Sequence, residues 1–415
     1  MKKSLLSETY KGSIAVPSSK SFMQRAIAIA TLAKGTTILS HPAKCNDTDA
    51  AMRMGRDLGA IIRENQNNIE ITGTRRLKSN ILNAGESGLG LRMFTPIAAL
   101  FNKEIQLKGE GSLTGRPITM LEQPLRQLGC SIRTNNGFVP AYVEGPMIGG
   151  KAQVDGSVSS QLLTGLLIAL PYAQQDTELL VTNLKSIPYV EMTMQIMKSF
   201  GIDIAHEDFK CFKIAGNQEY KACNYEIEGD WSAGAFHLVG AAIAGDVELT
   251  HLSVKSSQAD RAIIQALEAV GAGIKIKTNS IRVYNKKLMA FEFDATHCPD
   301  LFPPLAILAA ACNGLSKIKG LSRLKHKESN RAAVLAKELT SIGVDIKLQD
   351  DYMLVHGGEI IGGTIHSNND HRIAMAGAIA GLISQKPVKV LQKDAVSKSY
   401  PQFWDDYDSL KKITV

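Results

Sequence analysis

Two periods of apolar residues recur along this chain. Stretches with apolar side chains every three to four positions predict amphipathic helices, and shorter runs alternating with period two predict strands. Five segments combine them in one order: an amphipathic helix, an apolar residue followed by glycine, then two short strands around a polar turn. They are RDLGAIIRENQNNIEITG (56–73), RQLGCSIRTNNGFVPAYVEG (126–145), KSFGIDIAHEDFKCFKIAG (198–216), EAVGAGIKIKTNSIRVYN (268–285) and TSIGVDIKLQDDYMLVHGG (340–358). Their glycines, Gly59, Gly129, Gly201, Gly271 and Gly343, are 70, 72, 70 and 72 residues apart. A glycine there suits a left-handed helix cap before the chain turns into a strand. A sixth copy would end near residue 413, and a final helix over 402–412 fits that place without its hairpin.

Each copy also carries an earlier helix, near 21–33, 88–101, 160–173, 232–244, 301–313 and 371–384. These are rich in Ala, Leu and Ile on nearly all sides, as in HRIAMAGAIAGLIS, so they are expected to be buried. A unit therefore reads as strand, buried helix, strand, amphipathic helix, two strands. Six such units are too few and too elaborate for a solenoid. The pattern predicts an α/β protein of two compact domains, three units each, with helices inside and sheets around them.

Composition narrows the function classes. A chain of 415 residues exceeds the size at which one core keeps growing, and 44% hydrophobic with 21% charged residues is ordinary for a globular protein. No stretch reaches the ~18 apolar residues of a membrane span, and the N-terminal residues lack the apolar core of a secretory leader. Six scattered cysteines form no CxxC pair, which predicts reduced, packed thiols in a cytoplasmic protein with no metal site; no cofactor is expected. The net charge of +7 comes without a long basic run; the longest cluster is LKHK (324–327), and aromatics make up only 6%. Small anionic substrates account for it better than a nucleic acid.

The unusual residues gather at the starts of the buried helices: PSSKSFMQR, GESGLGLR, VSSQ, GDWS, CPDL and NDHR. Serine and aspartate before a helix are ordinarily caps, which accounts for Ser232 and for part of the role of Ser159. Capping does not call for Lys20, Arg25, Arg92, His371 or Arg372, because cations at a helix N-terminus oppose its dipole. Helix starts furnished with cations suit anions, which backbone N–H groups and side chains can hold together. LTGRP adds Arg116 before Pro117, which is placed to begin the next helix. HKESNR adds Lys327, Glu328 and Arg331 at another helix start, with Lys327 and Arg331 one turn apart on one face. SKSYP adds Lys398. Each alone could be a solvated charge; their recurrence in phase with the repeat favours binding.

Taken in order, PSSKSFMQRA, GESGLGLR, LTGRPI, VSSQ, SIPYVEMT, CPD, HKESNR, NDHRIAMA and SKSYPQFW resemble the enolpyruvyl transferase family over essentially the whole chain. The resemblance is strongest to the branch of the shikimate pathway, which serves chorismate and aromatic amino acid biosynthesis. It implies two inside-out α/β domains, each of three βαβαββ repeats with buried central helices, one from 1–17 and 228–415, the other from 18–227. It implies transfer of the enolpyruvyl group of phosphoenolpyruvate to the 5-hydroxyl of shikimate 3-phosphate, with substrates between the domains and the protein a monomer. The alternative is the branch acting on UDP-N-acetylglucosamine, which typically has a cysteine where this chain has Gly111.

Site residues carry over by motif. The resemblance implies that shikimate 3-phosphate meets Lys20, Ser21, Arg25, Ser159, Ser160, Gln161, Ser186, Tyr189, Asp300 and Lys327. Phosphoenolpyruvate is to meet Lys20, the backbone at Gly88, Arg116, Gln161, Arg331, Arg372 and Lys398. The catalytic group is Asp300, Glu328 and Lys20, with Glu328 the acid at carbon 3, Asp300 the base at the hydroxyl, and His371 an orienting residue. The bland alternatives are a helix cap for Asp300 and a surface glutamate for Glu328. The chain departs from the family pattern in two places: the segment Glu86 to Met93 stands where many members have Asn-Ala-Gly-Thr-Ala-Met-Arg-Pro, and Arg323 stands where some members have asparagine. A glycine at 88 leaves no side chain against the donor.

Overall fold

The computed structural model describes residues 3–5, 9–325 and 327–412; His326 of the LKHK run lies outside them, as do 1, 2, 6–8 and 413–415. Its helices are α1 Lys20–Leu32, α2 Asn46–Asp57, α3 Gly88–Ala98, α4 Glu122–Gln127, α5 Gln161–Ala169 and α6 Ile187–Ser199. They continue as α7 Trp231–Ala244, α8 Ile263–Ala269, α9 Phe302–Ala310, α10 Arg331–Thr340, α11 His371–Ala380 and α12 Phe403–Leu410. The odd-numbered helices are the apolar ones. Every residue of α3, α9 and α11 is buried, and most residues of α1, α5 and α7 are too. The even-numbered helices bury one face only.

Each repeat glycine closes a helix with one hydrogen-bond pattern. Gly59, Gly129, Gly201, Gly271 and Gly343 have φ of +110°, +86°, +87°, +82° and +97°. Each donates its N–H three residues back, and the following residue donates five residues back, as Gly201 to Lys198 and Ile202 to Met197. This Schellman arrangement satisfies carbonyls that a helix end leaves open, and only glycine adopts it without steric cost.

The sheets follow the repeat. Strands flanking a buried helix pair in parallel, as Ile81–Asn83 with Ile105–Lys108 around α3 and Glu292–Asp294 with Leu315–Lys319 around α9. A hairpin then adds antiparallel strands, here Ser131–Asn135 with Phe138–Glu144 and Asp345–Gln349 with Tyr352–His356.

Two compact units result, 1–18 with 228–415 and 19–227. At the crossovers two strands exchange roles. Thr9–Ala15 precedes α1 yet pairs in parallel with Gly245–Thr250, which follows α7. Asn224–Glu226 precedes α7 yet pairs with Thr36–Ser40, which follows α1. Each unit thereby completes its own sheets. The sixth copy obtains an antiparallel partner from the other end of the chain: Lys3–Leu5 pairs with Val388–Leu391. The last helix stops at Leu410, and Lys411–Lys412 is a short strand against Thr9 and Tyr10, where the sequence predicted helix to 412.

Close helix approach inside the 19–227 unit depends on Gly165 of α5, where a Cβ would stand 2.8 Å from Met93 Cα of α3. That contact brings the starts of two furnished helices together. Among the described residues no helix is long and apolar enough to cross a membrane.

Candidate active site

The starts of the odd-numbered helices form two clusters, one in each unit. In the 19–227 unit, α1 presents Lys20 at its first position, with Nζ 2.9 Å from Asp47 Oδ2 on α2. Ser21 is half-buried beside it, and one turn on Arg25 is buried. Arg25 Nε donates to Thr193 Oγ1 at 2.9 Å and Nη1 to the Ser21 carbonyl at 2.9 Å, with the guanidinium 5.9 Å from the Tyr189 ring centre. Burial lowers its pKa to about 10, so it remains a cation at neutral pH. Ser186, at the start of α6, takes a left-handed φ of +58°. At α5, Ser159 Oγ accepts from the Gln161 N–H at 3.2 Å, while the buried Ser160 makes no side-chain cap.

Arg92 on α3 links two of these segments, donating to Gln161 Oε1 at 2.7 Å and to the Pro117 carbonyl at 3.0 Å. Ser87 caps α3 by accepting from Gly90 N–H at 3.0 Å. Gly88 begins that helix, and the space a side chain would fill is already taken: a Cβ there would lie 2.8 Å from the Arg116 guanidinium. Arg116 ends a 3₁₀ turn over Gly111–Gly115 and is buried, and among the described residues its Nε has no hydrogen-bond partner. Pro117 does not begin a helix as predicted; Ile118 intervenes before a 3₁₀ turn at Thr119–Leu121, and α4 follows.

In the other unit the cluster is denser. Asp300 sits in a 3₁₀ turn, Pro299–Leu301, and makes no cap. Its Oδ1 accepts from Lys327 Nζ at 3.1 Å and Arg331 Nη1 at 2.7 Å, and its Oδ2 lies 3.2 Å from Arg372 Nη2. Burial pushes its pKa up, but Arg372, Lys327 and Arg331 together outweigh that and hold it well below the usual carboxylate value. Glu328 Oε2 pairs with Arg331 Nη2 at 2.5 Å, and is 18% exposed rather than free on the surface. Fully buried Arg331 also pairs with Asp370, Nε to Oδ2 at 2.9 Å. Asp370 caps α11 through the Arg372 N–H, and His371 meets Arg372 Nη1 through its ring. Lys398 Nζ donates to the Asn369 carbonyl at 2.7 Å.

Two local expectations are corrected here. Lys327 and Glu328 lie in a bend before α10, which starts at Arg331, so Lys327 reaches Asp300 and Glu328 reaches Arg331 by the course of the loop and not as neighbours on a helix face. Ser232 is not the cap of α7: Asp230 accepts from Ala233 N–H, and Ser232 Oγ donates to the buried carboxyl of Asp260. Burial, with Asp300 nearby, raises the Asp260 pKa to about 7.

Cations at helix starts, gathered around a carboxylate and facing small polar groups, suit polyanionic substrates and proton transfer. The family description EPSP synthase (3-phosphoshikimate 1-carboxyvinyltransferase) matches residues 7–407. The chain belongs to the EPSP synthase family.

Relatives agree over full length. A 3-phosphoshikimate 1-carboxyvinyltransferase of Clostridium novyi is 36% identical, covering 97% of this chain and 95% of its own. One from Methanocorpusculum labreanum is 34% identical, covering 96% of each. The solved EPSP synthase of Acinetobacter baumannii superposes with a TM-score of 0.82 at 26% identity, over 99% of this chain and 98% of that one. The enolpyruvyl transferase NikO of Streptomyces tendae, at 15% identity and a TM-score of 0.80, shares the fold. Membership in the EPSP synthase family thus rests on the whole chain.

Sequence reasoning missed the acidic partners. Asp370 lay in view within NDHR, next to the arginine it supports. Asp47 and Asp260 gave no comparable signal, since a lone acid in a helix or turn is ordinarily solvated.

Proposed function

We propose that this member of the EPSP synthase family transfers the enolpyruvyl group of phosphoenolpyruvate to the 5-hydroxyl of shikimate 3-phosphate and releases phosphate. The observation that carries the reading is the convergence of Lys327, Arg331 and Arg372 on Asp300. Each substrate pairs a carboxylate with a phosphate of about −1.5 to −2. Two like charges ~4 Å apart cost about 4 kcal/mol at an effective dielectric near 20. The cations Lys20, Arg25, Arg116, Lys327, Arg331, Arg372 and Lys398 offset that repulsion. Among the described residues the Nε atoms of Arg116 and Arg372 have no hydrogen-bond partner, which leaves these two donor-side cations hydrogen-bonding capacity to spare. Ser21, Ser159, Ser160, Gln161, Ser186 and Tyr189 then orient the phosphorylated acceptor, and the backbone at Gly88 lies beside the donor.

Proton traffic falls to the carboxylates. Carbon 3 of the donor takes a proton from Glu328, carbon 2 becomes electrophilic, and the acceptor hydroxyl attacks while Asp300 removes its proton. The tetrahedral adduct expels phosphate as carbon 3 returns a proton to the Glu328 carboxylate; Lys20 supports the departing charge. Free Asp300 is a weak base because three cations hold it ionised. The donor's phosphate and carboxylate compete for those cations, which raises the basicity of Asp300 when substrate arrives. The enzyme is taken to act as a cytoplasmic monomer, where its six free cysteines stay reduced.

The test is phosphate release by the purified protein with no added metal or nucleotide. Release is expected only when phosphoenolpyruvate and shikimate 3-phosphate are both present. Release with UDP-N-acetylglucosamine in place of shikimate 3-phosphate would overturn the assignment.

A further inference from the structure

Glu86 departs from the family pattern, and its contacts give it work that the reaction scheme does not use. The turn at 83–86 and the loop at 110–116 are tied together. Asn83 Nδ2 donates to Glu110 Oε1 at 2.7 Å, and Glu110 N–H donates to the Gly85 carbonyl at 2.7 Å. Glu86 Oε2 accepts from Ser112 twice, from its N–H at 3.2 Å and from its Oγ at 3.0 Å. Gly111 makes this reach possible. Its φ is +51°, and a Cβ on it would stand 2.5 Å from Glu86 Cδ. A side chain there would displace the carboxylate.

The same loop carries Arg116. Its N–H donates to the Leu113 carbonyl at 3.1 Å, the Leu113 side chain is buried, and its guanidinium lies over Gly88. A carboxylate close to an anion site would by itself repel the ligand. Here two donors from Ser112 engage one of its oxygens, so it acts on the loop.

We propose that Glu86 is a positioning residue for the donor: it latches the 110–116 loop to the start of α3 and so holds Arg116 ready for the anionic groups of phosphoenolpyruvate. Ordering that loop beforehand removes an entropic cost from donor binding. This inference rests on the functional reading above, because it takes Arg116 to be a donor ligand.

The experiment varies each substrate separately in phosphate-release kinetics on the full chain, for wild type, Glu86→Gln, Glu86→Ala and Ser112→Ala. Amide hydrogen exchange over 110–116 is followed in the free proteins. Glu86→Ala should raise the KM for phosphoenolpyruvate about tenfold, the worth of one hydrogen bond to a charged group. Its kcat and its KM for shikimate 3-phosphate should stay within about twofold, and exchange over 110–116 should quicken. Ser112→Ala should do the same to a smaller degree, since its N–H remains. Glu86→Gln keeps an acceptor for Ser112 and should recover most of the affinity. Equal rises in both KM values would mark a merely structural role and overturn the proposal. So would a donor KM that falls in Glu86→Gln, which would show the carboxylate acting by repulsion. An inactive wild type would instead sink the functional reading, and the exchange data would still decide the latch: unchanged protection in Glu86→Ala refutes it.

Discussion

Asp300 follows a proline at the start of a helical turn, where a carboxylate ordinarily caps the turn. It makes no cap and instead meets Lys327, Arg331 and Arg372, which come from two other segments of the chain. Asp300→Asn should therefore lower kcat about 100-fold or more, the usual weight of a general base, and Glu328→Gln should do the same as the acid. Glu328→Gln is expected to keep its affinity for shikimate 3-phosphate in direct binding titrations, since Glu328 pairs with Arg331, a cation of the donor side. Near-normal turnover in either variant would remove that residue from the mechanism. The cations at these positions were legible in the sequence because a positive charge at a helix start opposes the dipole and needs a reason. Asp370 stood in view beside Arg372 but its pairing with Arg331 did not, and Asp47 gave no signal, because an acid near a helix start needs no reason.

The helix ends show a tighter link between sequence and conformation. All five repeat glycines sit at positive φ, but their surroundings differ. At Gly201 the nearest atom to an added Cβ is Lys221 Cδ at 3.7 Å, ordinary contact with a flexible side chain. At Gly59 the nearest is the Arg76 carbonyl oxygen at 2.2 Å, and that backbone cannot yield cheaply. Gly201→Ala should thus cost about 1–2 kcal/mol, the penalty of a left-handed L-residue alone, and Gly59→Ala distinctly more. Both lie in the 19–227 unit, so the order of their denaturant midpoints is a direct comparison. Equal midpoints would show that the Arg76 segment moves aside. The recurrence of the glycine every 70 or 72 residues made these caps readable without any structure. Pro117 had no such periodic support, and its assignment to a helix start failed when Ile118 and a 3₁₀ turn intervened.

On the scale of the molecule, distant segments are joined by a buried polar chain in the unit 1–18 and 228–415. Tyr10 OH lies 2.6 Å from His237 Nδ1, His237 Nε2 lies 3.1 Å from Tyr400 OH, and Tyr400 OH donates to Asp406 Oδ2 at 2.5 Å. A neutral imidazole with its proton on Nε2 satisfies every member: Tyr10 donates to His237, His237 to Tyr400, and Tyr400 to the carboxylate. The chain ties the N-terminal strand, α7 and the segment after Lys398. Burial lowers the His237 pKa to about 3 from 6.5. The unfolded state therefore binds this proton first, and the stability given by neutral His237 is full above about pH 6.5 and lost as pH falls toward 3. The loss is at most about 1.4 kcal/mol per pH unit. His237→Phe should destabilise the protein at pH 7 by about 1–3 kcal/mol through the orphaned Tyr10 hydroxyl. Its deficit should narrow on acidification, since the variant lacks the titrating group. A deficit constant from pH 7 to pH 4 would show that the folded protein accommodates the imidazolium.

What the sequence determined by itself is what repeats: six buried helices, six outer ones, the glycine caps between helix and hairpin, and the cations in phase with them. Period and spacing are local properties, and they survive without knowledge of what packs against what. The tertiary structure alone decided the pairings that span hundreds of residues. The repeat would join Thr9–Ala15 to the strand after α1, but that strand pairs with Asn224–Glu226, and Thr9–Ala15 with Gly245–Thr250. Nor does any periodicity place Lys3–Leu5 beside Val388–Leu391, or aim Lys327 and Arg372 at one carboxylate. A strand's pattern says which face is apolar but not which edge it will meet. A charge's partner is set by the folding of backbone far from it in sequence.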